Sequence, residues 1–113
     1  MIEINQLHLH LRRTNRLYQL YLSCPDYRHA LTLRRANTQI VELIPVIYSK
    51  CKDEFLRNQL EELLLHLDFW FVQFDEEEKR VTSYDQIFKF VRASDFPSFP
   101  VGLIEYVEKI TTE

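Results

Sequence analysis

Side chains suited to a core recur every three or four residues along most of this chain, and that spacing restricts it to helices. Ile4, Leu7, Leu11, Thr14, Tyr18 and Tyr21 follow the rule through the first segment, and Leu22 closes the stripe before "SCPD". One short stretch competes. "QLHLHL", residues 6–11, alternates as a strand would, which would set His8 and His10 side by side as a pair of metal-binding imidazoles. On a helix the two rings point roughly 200° apart. A strand this short has no partner inside five helical turns, so the helix prevails and a shared metal is not expected.

In "SCPDYRHA" the helix breaks and restarts. Ser23 or Cys24 can stand at the cap, with Pro25 and Asp26 in the first turn, where proline costs no hydrogen bond and a carboxylate suits the dipole. The second stripe is His29, Leu33, Ala36, Ile40, Leu43, Ile44, Ile47 and Cys51. Pro45 falls on the outer side, so the carbonyl it orphans can reach water and the helix should bend there without stopping. A continuous helix holds Cys24 and Cys51 about 40 Å apart, which excludes a disulfide between them.

Asp53 can cap a third helix with Leu56, Leu60, Leu63, Leu67, Trp70, Phe71 and Phe74 inward, ending in the solvated run "DEEEKR". Thr82 with Asp85 resembles a capping box and would open a fourth helix with Tyr84, Ile87, Phe88 and Val91 inward. "DFPSFP" interrupts it, because each proline disfavours helix at the residue before it. A last short helix, at about residues 100–111, carries Leu103, Ile104, Val107 and Ile110.

The chain has 113 residues, 46% of them apolar, with one glycine and four prolines. That length suits a single domain spanning residues 1–113. So few turn residues argue against a sandwich or barrel. The expected architecture is all-α: an up-down four-helix bundle whose fourth helix is broken by a Pro-rich turn. Glu3, Arg12, Arg13 and Arg16 interrupt the first apolar pattern, and His66, Asp68 and Gln73 interrupt the longest apolar run. Neither a signal peptide nor a membrane span is expected, which points to a cytoplasmic protein with reduced thiols.

A second set of apolar residues faces away from the core stripes. Leu65, Phe69 and Val72 do so on helix three, and Ile2, Leu9 and Leu20 on helix one. A monomer would leave both sets in water unless helices four and five covered one of them. Fully burying side chains of this size is worth about 1.5–3 kcal/mol each, so these six residues are expected to form a subunit interface.

Catalytic patterns are missing from the sequence. Four histidines (8, 10, 29 and 66) lack metal-ligand spacing, His29 reads as a hydrogen-bonded core residue, and Glu61 and Glu62 do not converge. No Cys-x-x-Cys, His-Glu-x-x-His, phosphate loop or nucleophile elbow occurs. A non-enzymatic protein without cofactor or metal is therefore expected. Charge gives more. Net charge is −3, yet residues 1–57 carry nine Lys/Arg against five Asp/Glu, and residues 58–113 five against twelve. Arg12, Arg13 and Arg16 on helix one, and Arg28, Arg34 and Arg35 on helix two, are expected to form an outward basic face able to engage phosphates.

"CPDYRHALTLRRANTQIVELI" resembles the opening of helix two in a family of small bacterial four-helix bundles. These are the proteins encoded in ribosomal-RNA intervening sequences and the related accessory variability determinants (Avd) of diversity-generating retroelements. "FLRNQLEELLLHLDFWFVQF" and "VTSYDQIFKFVRAS" are similar to the family's third and fourth helices, and the likeness spans about residues 16–110. It implies a non-enzymatic bundle that assembles into a ring, commonly a pentamer, and whose basic surface binds nucleic acid and a reverse transcriptase. Arg34 and Arg35 correspond to the family's basic helix-two positions. The chain departs from the family in its acidic net charge, in "FPVGLIEYVEK", which keeps only Gly102 of a Gly-Gly-Trp-like phrase, and in lacking an Asn-Ile-Ala-Glu-Gly phrase. The leading expectation is an oligomeric accessory protein that binds RNA, DNA or a nucleic-acid enzyme. The rival is a protein-interaction module, inhibitor-like or immunity-like, that acts through the acidic C-terminal half.

Overall fold

A computed structural model describes residues 2–24, 26–83 and 101–112. All regular structure among them is helical: α1 (Ile2–Ser23), α2 (Tyr27–Lys50), α3 (Glu54–Ser83) and α4 (Val101–Thr112). The buried positions alternate steps of four and three. They are Leu7, Leu11, Thr14, Tyr18 and Tyr21 on α1, and Leu56, Leu60, Leu63, Leu67, Trp70, Phe74 and Glu77 on α3. On α2 they are Ala30, Leu33, Asn37, Ile40, Ile44 and Ile47, continuing to Cys51 just past the helix, with Ala36 beside them. A repeat of 3.5 residues suits helices that cross at a shallow, left-handed angle.

Contacts between helix ends show how the rods lie. Lys50, at the end of α2, binds Glu3 at the start of α1 through a 2.6 Å contact that lowers the carboxyl pKa. Tyr27 and Arg34, in the first half of α2, meet Glu78 and Asp75 late in α3, whereas Tyr48 near the end of α2 donates to Glu61 early in α3. α4 packs on α1, and its Tyr106 reaches Asp53 and Phe55 at the start of α3.

The core falls into two clusters. One gathers Leu7, Leu11, Ile40, Ile44, Ile47, Leu56, Leu60, Leu63 and Leu67 with Leu103 and Val107 of α4. The other gathers Tyr18, Tyr21, Ala30, Leu33, Trp70 and Phe74. Thr14 and Asn37 occupy core positions between them along α1 and α2, both almost fully buried. Phe71 packs against both clusters.

Capping chemistry sets the helix starts. Asp26 is the cap of α2, its carboxylate accepting from the His29 backbone N–H at 2.8 Å. The helix thus begins after Asp26, so neither Ser23 nor Cys24 is its cap and Asp26 is not in its first turn. A capping side-chain oxygen accepts from the N–H two or three residues on, and Asp26 has that spacing to His29. Asp53 caps α3 as expected, accepting from Phe55 and Leu56.

Two boundaries differ from the sequence reading. α3 does not stop at "DEEEKR" but runs through it to Ser83, which puts Thr82 in its last turn and not at the cap of a new helix. Glu, Lys and Arg are good helix formers, and Glu77 continues the Trp70–Phe74 seam into the interior, where only 6% of it is exposed. Its charge, second to burial itself, raises the Tyr21 phenol above its ordinary range. Leu22 lies off the α1 seam and is exposed, since it follows Tyr21 by a single residue and so points about 100° away. The expected helix carrying Tyr84, Ile87, Phe88 and Val91, and the "DFPSFP" interruption, lie outside the described residues. Among the described helices none is long and apolar enough to cross a membrane.

α2 is continuous through Pro45, which is exposed on its outer side. Proline there removes one backbone hydrogen bond and crowds the preceding turn. Pro45→Ala is expected to stabilise the fold by about 1–3 kcal/mol, read as a higher urea midpoint with unchanged slope.

Candidate functional site

Which arginines are available to a partner follows from their offset from the seam. Arg28 and Arg35 lie two residues before Ala30 and Asn37, so they point about 200° away from the core. Both are exposed, and neither makes an ion pair among the described residues. Arg13 and Arg16 stand in the same relation to Leu11 and Thr14, and are likewise exposed. Arg12 is only one residue past Leu11 and sits on the flank, where it reaches Glu108 of α4 at 3.7 Å with both side chains about half in water. Arg12, Asn15 and Arg16 line a cleft of about 570 Å³ between α1 and α4, with Leu9, Ile104 and Glu108 completing it.

Arg34 is not part of the outward face. It immediately follows core residue Leu33, which turns its guanidinium toward α3, where it lies 4.9 Å from the centre of the Phe71 ring and 5.0 Å from that of Phe74. One nitrogen approaches Asp75 at 3.4 Å, and only about a third of the side chain is exposed. Arg34 therefore fastens α2 to α3, and the adjacent Arg35 is the residue that faces out. The "RR" pair splits because one step along a helix rotates the side chain by about 100°. Tyr27 adds to the same seam: its hydroxyl donates to Glu78 at 2.6 Å, and that hydrogen bond raises the phenol pKa, with Arg34 and Arg35 opposing it.

All six residues expected at an interface are exposed. Leu65 is 70% exposed and Leu9 67%, and Ile2, Leu20, Phe69 and Val72 are also among the exposed large hydrophobics. α4 covers neither stripe. On α3, Leu65, Phe69 and Val72 are bordered by exposed Glu61, Glu62, Asp68, Asp75 and Glu76. On α1, Leu9 and Leu20 flank Arg13 and Arg16. Phe55 extends the α3 stripe, 53% exposed with one edge against Tyr106. It precedes Phe69 by two heptads, so the spacing that marked Leu65 would have marked it too. Val46 on α2 is an isolated exposed residue of the same kind.

The histidines distribute as the helical reading expects for His8 and His10, both on α1. His29 is hydrogen-bonded, as a core histidine would be, but it is half-buried at the first turn of α2 with Nδ1 2.8 Å from Asp26 Oδ1. Cys24 Sγ contacts the other Asp26 oxygen at 3.7 Å, and the donor atoms of Cys24, Asp26 and His29 all lie within 4.8 Å of one another. A search for paired histidines or Cys-x-x-Cys passes over this mixed set. Its signal is a cysteine two residues before an N-cap and a histidine three residues after it. The Asp26 carboxyl is held below its ordinary pKa, first by the His29 backbone N–H it caps. Both cysteines are free thiols, Cys24 exposed and Cys51 buried. No protein-family model, curated protein or solved structure matches this chain.

Arg34→Ala is expected to cost about 1–2 kcal/mol, mostly through the lost contact with Phe71 and Phe74, because the half-exposed Asp75 pair adds little. Arg35→Ala should stay within about 0.5 kcal/mol of the parent. Paired denaturation curves of the two variants check the contrast.

Proposed function

We propose that the chain is an up-down four-helix bundle, interrupted in its fourth helix at "DFPSFP", that works without catalysis as an oligomeric accessory protein of the Avd-like, intervening-sequence kind. It binds nucleic acid, or a nucleic-acid enzyme such as a reverse transcriptase, and positions it. The observation that carries this reading is the exposed run Leu65, Phe69 and Val72, on the side of α3 opposite its buried seam. Contiguous apolar surface of this kind on a helix marks an interaction face. The likeness of "CPDYRHALTLRRANTQIVELI" and the helices after it to the family supports the same reading.

Charge divides the surface between two tasks. The α1 stripe is apolar and basic (Ile2, Leu9, Arg13, Arg16, Leu20), and the α3 stripe is apolar and acidic (Glu62, Leu65, Phe69, Val72, Glu76). The two are complementary, so α1 of one copy fits α3 of the next in a head-to-tail, ring-forming contact. Arg28 and Arg35 on α2 take no part in that contact and remain for phosphate.

Light scattering over a concentration series tests the assembly. The parent is expected at several times the mass of one chain, and Leu65→Asp with Phe69→Asp at the mass of one chain with its helix content retained. A parent that stays single at high concentration overturns the assembly. Fluorescence anisotropy with a short labelled RNA and the matching DNA duplex tests the basic face. Arg28→Glu with Arg35→Glu should weaken binding and reduce the slope of log K against log salt by about 2, one counterion for each lost phosphate contact. Binding that survives this change, or ignores salt, counts against a nucleic-acid role.

A second reading has one observation in its favour: exposed Glu61, Glu62, Asp68, Asp75 and Glu76 around the α3 stripe suit a basic protein partner as well as a second copy. In that case charge reversal at Glu62 and Asp68 abolishes capture of the partner, while the arginine variants retain it.

A further inference from the structure

We propose that Cys24, Asp26 and His29 form a binding site for a divalent metal ion of the zinc class, built into the turn between α1 and α2. Three different donor types converge there: a sulfur, a carboxylate oxygen and an imidazole nitrogen, all within 4.8 Å of one another. A tetrahedral zinc ion, with bonds of about 2.0–2.3 Å, needs its donor atoms roughly 3.3–3.8 Å apart. The sulfur lies 3.7 Å from Asp26 Oδ2, already at that spacing. The imidazole nitrogen is 2.8 Å from Asp26 Oδ1 and has to move outward. These two distances are to different oxygens of the carboxylate, so binding requires the partly exposed side chains to rotate until one Asp26 oxygen faces both the sulfur and the imidazole.

The backbone around the site holds its members close. The Cys24 N–H bonds the Leu20 carbonyl at the end of α1, and the Asp26 N–H bonds the Cys24 carbonyl at 2.8 Å. Asp26 then caps α2 through the His29 N–H, which brings the imidazole back over the turn. Cysteine, aspartate and histidine come from a stretch of six residues, so a bound ion closes a short loop.

Donor chemistry selects the metal class. Sulfur and imidazole suit zinc or cobalt(II), whereas calcium and magnesium take oxygen throughout. On binding, the Cys24 thiol gives its proton to solvent, and thiolate and carboxylate together balance the two charges of the ion. Three protein donors leave one position for water, on the side where Cys24 is exposed. The ion would tie the end of α1 to the start of α2, next to Tyr21 and Ala30 of the aromatic cluster.

The test is titration of cobalt(II) into the full chain, kept reduced by a phosphine. The expected result is a thiolate-to-cobalt charge-transfer band in the near ultraviolet with visible bands of tetrahedral intensity. They should saturate at one ion per chain and disappear when zinc is added. Cys24→Ser and His29→Gln should each lose affinity by on the order of tenfold or more, while Cys51→Ser titrates like the parent. Circular dichroism confirms that each variant is folded, and Asp26 is left intact in all of them to preserve the cap. Four outcomes overturn the proposal: no band at saturating cobalt, an unchanged titration in His29→Gln, loss of the band in Cys51→Ser, or one ion shared by two chains.

Discussion

The alternation of four-residue and three-residue steps along each seam is the constraint on which the remaining features depend. A seam of this period is narrow, two residues in every seven. It buries Leu56, Leu60, Leu63 and Leu67 on one side of α3 and leaves the opposite side to water whatever residues stand there. On most helices such a side would be polar. Here it carries Leu65, Phe69 and Val72. The same geometry turns Arg13, Arg16, Arg28 and Arg35 outward, and it draws Arg34 inward because that residue lies one step from Leu33.

Within the seam, apolar burial is not uniform. The aliphatic cluster around Leu11, Ile44 and Leu60 and the aromatic cluster around Tyr21, Trp70 and Phe74 are separated along α1 and α2 by Thr14 and Asn37. A polar residue at a core heptad position lowers stability, but it disfavours sliding of one helix along its neighbour by a heptad, since the slide would set amide or hydroxyl against leucine. Pinning from outside acts in the same direction. Arg34 over Phe71 and Phe74, Tyr27 on Glu78, Tyr48 on Glu61 and Lys50 on Glu3 each join helices in one register only. Two of these contacts flank the aromatic half and two the aliphatic half.

Much of this was legible in the sequence because period is a local property. The seams of α1 to α3, the cap at Asp53, the passage through Pro45 and the exposure of all six stripe residues follow from spacing alone. What spacing did not show has a common cause, which is that a neighbouring helix decides it. Arg34 and Arg35 differ by one step in their offset from Leu33, but what holds Arg34 is α3, which supplies two rings and a carboxylate on that side. "DEEEKR" reads as a solvated end until Glu77 is seen beside Tyr21. Ala30 lies on the seam where its neighbour His29 reads as the inward residue, and Asn37 joins Ala36 in the core; which of two adjacent residues turns inward depends on the helix packed against them. The Cys24, Asp26 and His29 group was hidden for a different reason: its members straddle the cap, and only the chain reversal at Asp26 brings them together.

The charge pattern of the outward faces bears on which kind of assembly is open to such a bundle. An isologous pair would set α3 against α3, or α1 against α1, and so oppose Glu62 and Glu76 to their own copies, or Arg13 and Arg16 to theirs. Like charges at such a contact cost free energy that the apolar residues between them would have to offset. Pairing α1 with α3 removes the conflict, and both stripes share the 3.5-residue period that lets side chains interdigitate along their length. A contact between two different faces leaves one of each unfilled at the ends of any open chain of subunits. An assembly built on that contact would either close into a ring or continue to grow, and the angle between the outward directions of α1 and α3 would select the outcome and the number of copies.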